Sequence, residues 1–363
     1  MKVAPFFLCS SFFVIACLSL PNKLWAWGER GHQIVTKAAV RLVSLRVSEQ
    51  DAEFAELLSR KELMLAHLSN VPDIVWRNRE SREAEQNAPT HFLDLEFILQ
   101  GQRKPSLKQM PKTVQAYRQA IEATCQRHPE DCAPGHSLAD KIAKTGHAPF
   151  RALQLLAGME ESMRQLKQEN IKSKQKLELL NQALIYAGLT SHFIGDLANP
   201  NHTTKNYDGQ LTGQRGLHSY FESELIAAYD LQLSHYVLQY ADKSRPYQRL
   251  IARQDPADRF ERIWALTLNS FFQLDKLLSL DERYSLVTRG DAILPAQRKP
   301  TVAVKQYYMG FAVERLALAA DTLAELWLEV WQQSGKPSLA TYSSYEYPLS
   351  PEFIQVHYLD ELN

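Results

Sequence analysis

The stretch Tyr186-Ala-Gly-Leu-Thr-Ser-His192-Phe-Ile-Gly-Asp196-Leu-Ala-Asn-Pro200 is the most informative part of this chain of 363 residues. Its apolar residues recur at three- and four-residue intervals, which predicts a helix that Pro200 helps to end. Because His192 and Asp196 are four residues apart, one face of that helix presents both side chains. Zinc prefers imidazole and carboxylate ligands, and His202 follows in the next loop. The stretch therefore predicts a helical fold that carries a metal site.

A second histidine and carboxylate pair, His218 and Glu222, follows in the sequence His-Ser-Tyr-Phe-Glu, again one helical turn apart. One such pair alone is more often a surface pair or a core histidine than a set of metal ligands. Here two pairs occur with His202 between them, and the segment Trp27-Gly-Glu-Arg-Gly-His32 lies near the start of the chain. The combination favours a metal centre.

The rest of the chain is poor in glycine and rich in helical apolar spacing, which predicts a mostly helical, all-α single domain. The expected helices are residues 30–45, 48–69 with Ser48 as the cap, 108–127, 149–168, 172–198, 218–242, 256–280 and 303–334. Loops are expected at 78–90, 100–112, 128–148, 200–217 and 281–302. After Gly335, a tail rich in tyrosine and proline either packs as an extended segment over the helices or is a mobile terminus.

Residues 1–26 are typical of an export signal, with an apolar run over residues 6–20 that is shorter than the roughly 20 residues of a membrane span. Cleavage after this signal gives a mature chain of residues 27–363 in the periplasm or outside the cell. The sequence Val-Ile-Ala-Cys ending at Cys17 resembles a lipobox and predicts a lipoprotein instead. We favour cleavage before Trp27, because the new amine could then bind a metal.

The two cysteines beyond the export signal are Cys125 and Cys132. In an oxidising compartment they predict a local disulfide. His128 and His136 alternate with them, so a small zinc site is the alternative.

Basic and acidic residues are balanced at 41 each. The chain therefore lacks the overall positive charge of proteins that bind nucleic acid nonspecifically. An anionic substrate would have to be held by local charges or metal ions.

The chain resembles the S1/P1 nuclease family and, more distantly, the bacterial zinc-dependent phospholipases C. Three motifs carry the resemblance: Trp27-Gly-x-x-Gly-His32, then His192-x3-Asp196-x5-His202 with His218-x3-Glu222, and the helix Gly310-Phe-Ala-Val-Glu-Arg-Leu-Ala-Leu-Ala. The resemblance spans most of the mature chain. Residues 100–180 match least well and are a candidate insertion.

The resemblance implies three zinc ions per chain. The first would be held by Asp73, His91, His192 and Asp196, the second by the Trp27 amine and carbonyl, His32 and Asp196, and the third by His202, His218 and Glu222. Asp73 and Asp196 are the expected catalytic carboxylates, since a close metal pair can hold a hydroxide aimed at phosphorus while the third ion stabilises the departing oxygen. For Asp73, a Pro-Asp turn that ends a helix is the alternative.

Two substrate classes remain open. The sequence His91-Phe92-Leu-Asp94 resembles the nuclease arrangement, in which an aromatic ring stacks on a base and an acid accepts its hydrogen bonds. Glu222 occupies a position where nucleases usually have Asp and phospholipases have Glu. Ordinary core packing is the alternative for Phe92. Candidate phosphate contacts, each of which could instead be a solvated charge, are Arg77, Lys205 and Arg215.

We therefore expect a monomeric nuclease and 3′-nucleotidase that acts on single-stranded nucleic acid or nucleotides, without a stable protein partner. The first alternative is a phospholipase C that acts on phospholipids. The second is a non-catalytic helical protein that binds zinc. The third ligand group argues against a purely structural role, because three protein ligands leave a position for substrate.

Overall fold

The computed structural model describes residues 28–99, 105–129, 132, 137–168, 171–291, 293–339, 342–344 and 346–359. The export signal, Trp27 and His136 lie outside these residues. The described protein is mostly helical, which confirms the all-α prediction.

The seventeen α-helices of the described residues are α1 (Gly28–Arg46), α2 (Ala52–Arg60), α3 (Glu62–Leu68), α4 (Val71–Ile74), α5 (Ser81–Asn87), α6 (Glu96–Leu99), α7 (Val114–Arg127), α8 (Leu138–Thr145), α9 (Ala148–Gln165), α10 (Ser173–Ala198), α11 (Leu217–Ser219), α12 (Ile226–Ala228), α13 (Gln232–Ser244), α14 (Pro246–Gln254), α15 (Arg259–Phe271), α16 (Leu274–Leu280) and α17 (Thr301–Gln333). Two short strands, β1 (Leu286–Thr288) and β2 (Gln297–Arg298), pair antiparallel. Further single turns are of the 3₁₀ type, including Ala88–His91 and Pro200–Thr203, or of the π type, at Tyr220–Leu225 and Asp281–Ser285.

Helix α10 lies at the centre of the protein and packs against α9, α17, α3 and α15. Every residue from Ala187 to Ala198 is buried. A helix that is surrounded on all sides by other helices is mostly apolar, and the polar residues of this stretch are Thr190, Ser191, His192 and Asp196. The last three turns of α10 therefore carry His192 and Asp196 into the interior.

Several predicted helices agree closely with the structure, namely α1, α9, α10 and α17. The helix predicted over 48–69 was wrong as a single element. It is divided into a 3₁₀ turn, α2 and α3, with a break at Lys61, whose φ and ψ are −107° and 11°. Ser48 occupies the N-cap position of the 3₁₀ turn, but its side chain accepts no capping hydrogen bond, and its hydroxyl donates to the Asp51 carboxylate.

The segments predicted as helices over 218–242 and 256–280 are also divided. In the segment 218–242, a π turn separates α11 from α12, and α13 follows. In the segment 256–280, α15 begins only after Asp258, whose side chain accepts a hydrogen bond from the Glu261 N–H. Helices α5 and α8 lie where loops were expected. The start of α8 is stabilised by a capping box between Ser137 and Asp140.

The predicted disulfide is present between Cys125 and Cys132, with the Cα atoms 5.4 Å apart. Since both sulfur atoms are used in this bond, the alternative zinc site with His128 and His136 was wrong.

The described part of the tail after Gly335 packs over the helices as an extended segment, which is the first of the two alternatives. The Trp76 indole donates to the carbonyl of Pro351 at 3.1 Å, and Phe353 is only 6% exposed. In the described part of residues 100–180, α9 packs along α10 and so belongs to the core. None of the described helices combines the length and apolar character of a membrane span.

Candidate metal centre

Asp196 lies between two sets of histidine nitrogens. Its Oδ2 atom is 3.2 Å from His192 Nε2, one turn earlier on α10, and 3.2 Å from His91 Nδ1. Its Oδ1 atom is 3.4 Å from His32 Nε2 on α1. The Asp196 side chain is fully buried. Its Oδ2 atom thus faces His91 and His192 while its Oδ1 atom faces His32, as the two oxygens of a bridging carboxylate would.

Two groups of potential ligands meet at this point. One consists of Asp73, His91 and His192, and the other of His32, His192 and Asp196. Within each group the ligand atoms lie within 4.8 Å of one another. The His32 and His192 rings stack with centroids 4.1 Å apart, so His192 lies beside both groups. Together the two groups contain every side chain predicted for the first two zinc ions except Trp27, which lies outside the described residues. The division differs from the prediction, because His192 belongs to both groups and Asp196 only to the second. Asp196 Oδ2 nevertheless lies 3.2 Å from His91 and His192 of the first group.

The third group consists of His202, His218 and Glu222. Glu222 Oε2 is 2.9 Å from His218 Nε2 and 3.3 Å from His202 Nε2, and the two nitrogens are 3.0 Å apart. His202 comes from the 3₁₀ turn that follows α10, and Glu222 from the π turn. Turns of the π type are frequent at functional sites.

Hydrogen bonds fix the orientation of these imidazoles. His192 Nδ1 is 2.8 Å from the carbonyl of Ser69, and His202 Nδ1 is 2.7 Å from the carbonyl of His91. Donation from each Nδ1–H leaves Nε2 as the ligand atom, which is the arrangement usual in metal sites. The second contact also joins the third group to the first.

The carboxylates have their own partners. Asn199 donates to Glu222 Oε2 at 3.0 Å, and Arg77 Nη2 lies 2.6 Å from Asp73 Oδ1. Residues such as Ser69 and Asn199 were not identified from the sequence, because a backbone carbonyl or an amide has no motif of its own.

Burial dominates the ionisation of the first two groups. It raises the pKa of the Asp73 and Asp196 carboxyls. It lowers the pKa of His91 well below its usual value and that of His192 to about 4. Neutral imidazole is the form that binds a metal, and a cation would compensate the buried carboxylates.

The third group behaves differently. Burial opposes ionisation of Glu222, but the charges and hydrogen bonds of His218 and His202 outweigh it and lower the pKa of this carboxyl. Burial likewise opposes protonation of both histidines, while nearby carboxylates, Asp196 for His202 and Glu222 for His218, raise their pKa. Two buried histidines that face one carboxylate in this way could hold a metal ion in place of the protons.

A cavity of about 750 Å³ opens beside the first and third groups. Its lining residues include His91, His202 and His218, the predicted substrate contacts Phe92, Asp94, Arg77 and Lys205, and the unpredicted Ala88, Phe97, Lys144, Asn201, Tyr207 and Gln210. Phe92 is half-buried in this wall. Arg215 lies instead against the β-hairpin, where its carbonyl accepts from the Ala296 N–H.

Asp94 is almost enclosed by this wall. Burial raises the pKa of its carboxyl to about 8, with a further contribution from Glu96, and Lys205 and Lys144 act against this rise. Lys144 was missed in the sequence because it lies in a region predicted as a loop, far along the chain from any ligand.

Comparisons with protein-family models, curated proteins and solved structures found no match to this chain. The likeness to the S1/P1 nuclease family therefore rests on the motif residues. The described fold brings eight of the nine residues predicted as ligands into three neighbouring groups: His32, Asp73, His91, His192, Asp196, His202, His218 and Glu222.

Proposed function

We propose that this protein is an exported, monomeric phosphodiesterase that binds three zinc ions, one in each ligand group. The supporting observation is the convergence of the three groups around Asp196 and Glu222 at one end of a cavity. The three groups draw on side chains that lie up to 190 positions apart in the sequence, from His32 to Glu222.

Zinc fits the donor set. All the described candidate ligand atoms are imidazole nitrogens or carboxylate oxygens, the donor types that zinc prefers, and they belong to buried residues. Bound zinc ions would supply Lewis acidity that activates water near neutral pH and stabilises charge on a phosphate ester. The third group offers three protein ligands, which leaves room for a substrate oxygen.

The protein's own residues would bind and orient the substrate. Phe92 and Asp94 line the cavity beside His91, where an aromatic ring can stack on a base and an acid can form a hydrogen bond with its edge. Stacking of this kind contributes about 1–3 kcal/mol per base with little sequence preference. Arg77 also lines the cavity, next to the ligand Asp73. This arrangement favours single-stranded nucleic acid and 3′-nucleotides as substrates.

Phospholipids are the second candidate substrates. Glu222 is the residue expected of a phospholipase C, and its longer carboxylate reaches both histidines of the third group. The cavity wall also includes the apolar side chains of Ala88 and Phe97, which could contact a lipid.

Parallel hydrolysis assays on one zinc-loaded, signal-processed preparation test these proposals. The substrates are single-stranded RNA, a 3′-nucleotide and phosphatidylcholine vesicles, each with and without a chelator. Chelator-sensitive release of nucleotides supports the nuclease, and diacylglycerol release with intact RNA supports the phospholipase. Bound zinc without any hydrolysis would leave only the non-catalytic alternative.

The Trp27 amine can be tested separately. A variant with one additional residue before Trp27 should bind less zinc and lose most activity, because the amine would be displaced from its metal. Unchanged zinc content would contradict the ligand set of the second ion.

A further inference from the structure

Lys205 is fixed on one side of the segment that carries Phe92 and Asp94. The Leu93 N–H donates to the carbonyl of His202 at 2.8 Å, so this segment runs beside the turn after α10. Lys205 follows that turn, and its own N–H donates to Glu96 Oε2 at 3.0 Å. These contacts hold the Lys205 backbone next to the cavity wall.

Lys144 lies on the other side of the same segment. The Asp94 N–H donates to the carbonyl of Thr145 at 2.8 Å. Gly146 follows with φ of 80°, and a Cβ atom there would be only 2.2 Å from the carbonyl oxygen of Phe92. This close approach requires glycine and places the end of α8, with Lys144, against the wall.

The cavity has more basic than acidic side chains outside the metal ligands. Its lining includes Arg77, Lys144 and Lys205 but, apart from the ligands, only the carboxyl of Asp94. Arg77 is paired with Asp73. Burial raises the pKa of Asp94 to about 8, so this group offsets little positive charge near neutral pH. Lys144 forms no ion pair within the described part of the chain.

We infer that Lys144 and Lys205 form a subsite for a second, non-scissile phosphate of a single-stranded nucleic acid. The inference rests on the proposed function and defines its substrate further. A nucleotide with its base on Phe92 would direct one phosphate to the metal groups, and the two lysines flank the same base site. A nucleic-acid strand supplies the second phosphate, whereas a 3′-mononucleotide lacks it. The protein would therefore prefer oligonucleotides.

The test is equilibrium binding of a fluorescent, phosphorothioate-linked single-stranded oligonucleotide to the zinc-loaded protein over a range of salt concentrations. Each phosphate contact contributes about 0.7 to the slope of log affinity against log salt. Because both lysines contact the same phosphate, the double variant Lys144→Gln/Lys205→Gln should bind with a slope lower by about 0.7 and, at low salt, about tenfold more weakly. The matched control is Lys174→Gln/Lys243→Gln, which removes two lysines that are not in the cavity lining.

The kinetic measurement is the ratio of kcat/KM for an oligonucleotide to kcat/KM for a 3′-nucleotide, which should fall about tenfold in the cavity variant. An unchanged slope and ratio would overturn the subsite even if the wild type hydrolyses both substrates. The salt dependence of binding could also change in the cavity variant while the wild type hydrolyses neither substrate. That result would support the subsite and reject the proposed function. Binding to anionic vesicles but not to the oligonucleotide would overturn the inference.

Discussion

The metal groups around Asp196 and the surroundings of Arg151 on α9 both bury ionisable side chains, with different kinds of neighbours. Arg151 is completely buried and donates to Gln154 Oε1 at 2.6 Å and to the carbonyl of Ile354 at 2.7 Å. Its guanidinium also lies over the rings of Trp76, Phe193 and Phe353, 5.4–5.8 Å from their centroids. Burial lowers the pKa of Arg151 only to about 10, so it remains charged.

Asp196 has neighbours of another kind. The nearest groups are the nitrogens of His91, His192 and His32, and its Oδ1 forms no hydrogen bond within the described residues. Aromatic faces and carbonyl oxygens stabilise the Arg151 cation without any ligand. Several ligand atoms that converge on one point, in contrast, are stabilised by a bound cation. The Arg151 charge is thus stabilised by the surrounding protein alone. The Asp196 carboxylate lies instead among groups that a metal ion could bind.

Replacement of Asp196 should have the largest effect. Asp196→Ala removes the carboxylate that faces the first two ligand groups, so zinc content should fall to about one ion per chain and hydrolysis by at least about a thousandfold. Metal analysis by mass spectrometry and the nucleotide assay measure both. The isosteric Asp196→Asn should lose zinc as well, because the charge is required. A variant with full zinc content and activity would show that Asp196 is not a ligand.

Glu222 tests the independence of the third group. Glu222→Ala should remove about one zinc ion and lower hydrolysis by about a hundredfold or more, while the two ions at Asp196 stay bound. Glu222→Asp keeps a carboxylate and should keep that ion. If Glu222→Ala instead released all zinc, the three groups would form one cooperative unit.

Arg151 tests the other side of the comparison. Arg151→Ala leaves a cavity among three aromatic rings and removes two hydrogen bonds, so the free energy of unfolding should fall by about 2–4 kcal/mol. Zinc content of the folded variant should not change. Denaturant unfolding and metal analysis give the two values. Loss of zinc without loss of stability would mean that Arg151 serves the metal groups.

The smallest expected effect concerns pH and His147, which lies beside Arg151 at the start of α9. Burial lowers the pKa of His147 to about 3, whereas the unfolded chain binds this proton near pH 6.5. Stability should therefore fall as the pH falls below about 6.5, by about 1.4 kcal/mol per pH unit. His147→Gln removes this contribution.

Unfolding at pH 7 and pH 5 provides the measurement for His147. The stability of the wild type relative to His147→Gln should decrease by about 2 kcal/mol between these values. A constant difference would mean that His147 is protonated in the folded protein.

Much of the site was predictable because it depends on local spacing. The pairs His192 and Asp196, and His218 and Glu222, each lie one turn apart, and both pairs meet in space as their spacing predicted. Helix α10 was predicted within one residue at its start, at Ser173. Periodic apolar residues and a terminal proline are sufficient for such an element.

Other features had no local signal. The break at Lys61 and the π turn around Glu222 interrupt segments whose apolar pattern continues, because packing against neighbouring helices overrides propensity. Lys144 reaches the cavity only because the Asp94 N–H bonds to Thr145, more than fifty positions away. Contacts of this kind depend on how helices pack, which a sequence pattern does not encode.

The sequence by itself determined the helical class, the order of the candidate ligands and the disulfide between Cys125 and Cys132, since each depends on residue type and short spacing. Tertiary structure decided which candidate ligands lie in the same group, that Asp196 faces two groups, and that Lys144 and Lys205 line one cavity. The physical reason is distance along the chain. Local geometry fixes neighbours one turn apart, but only the burial of a shared core brings distant segments together.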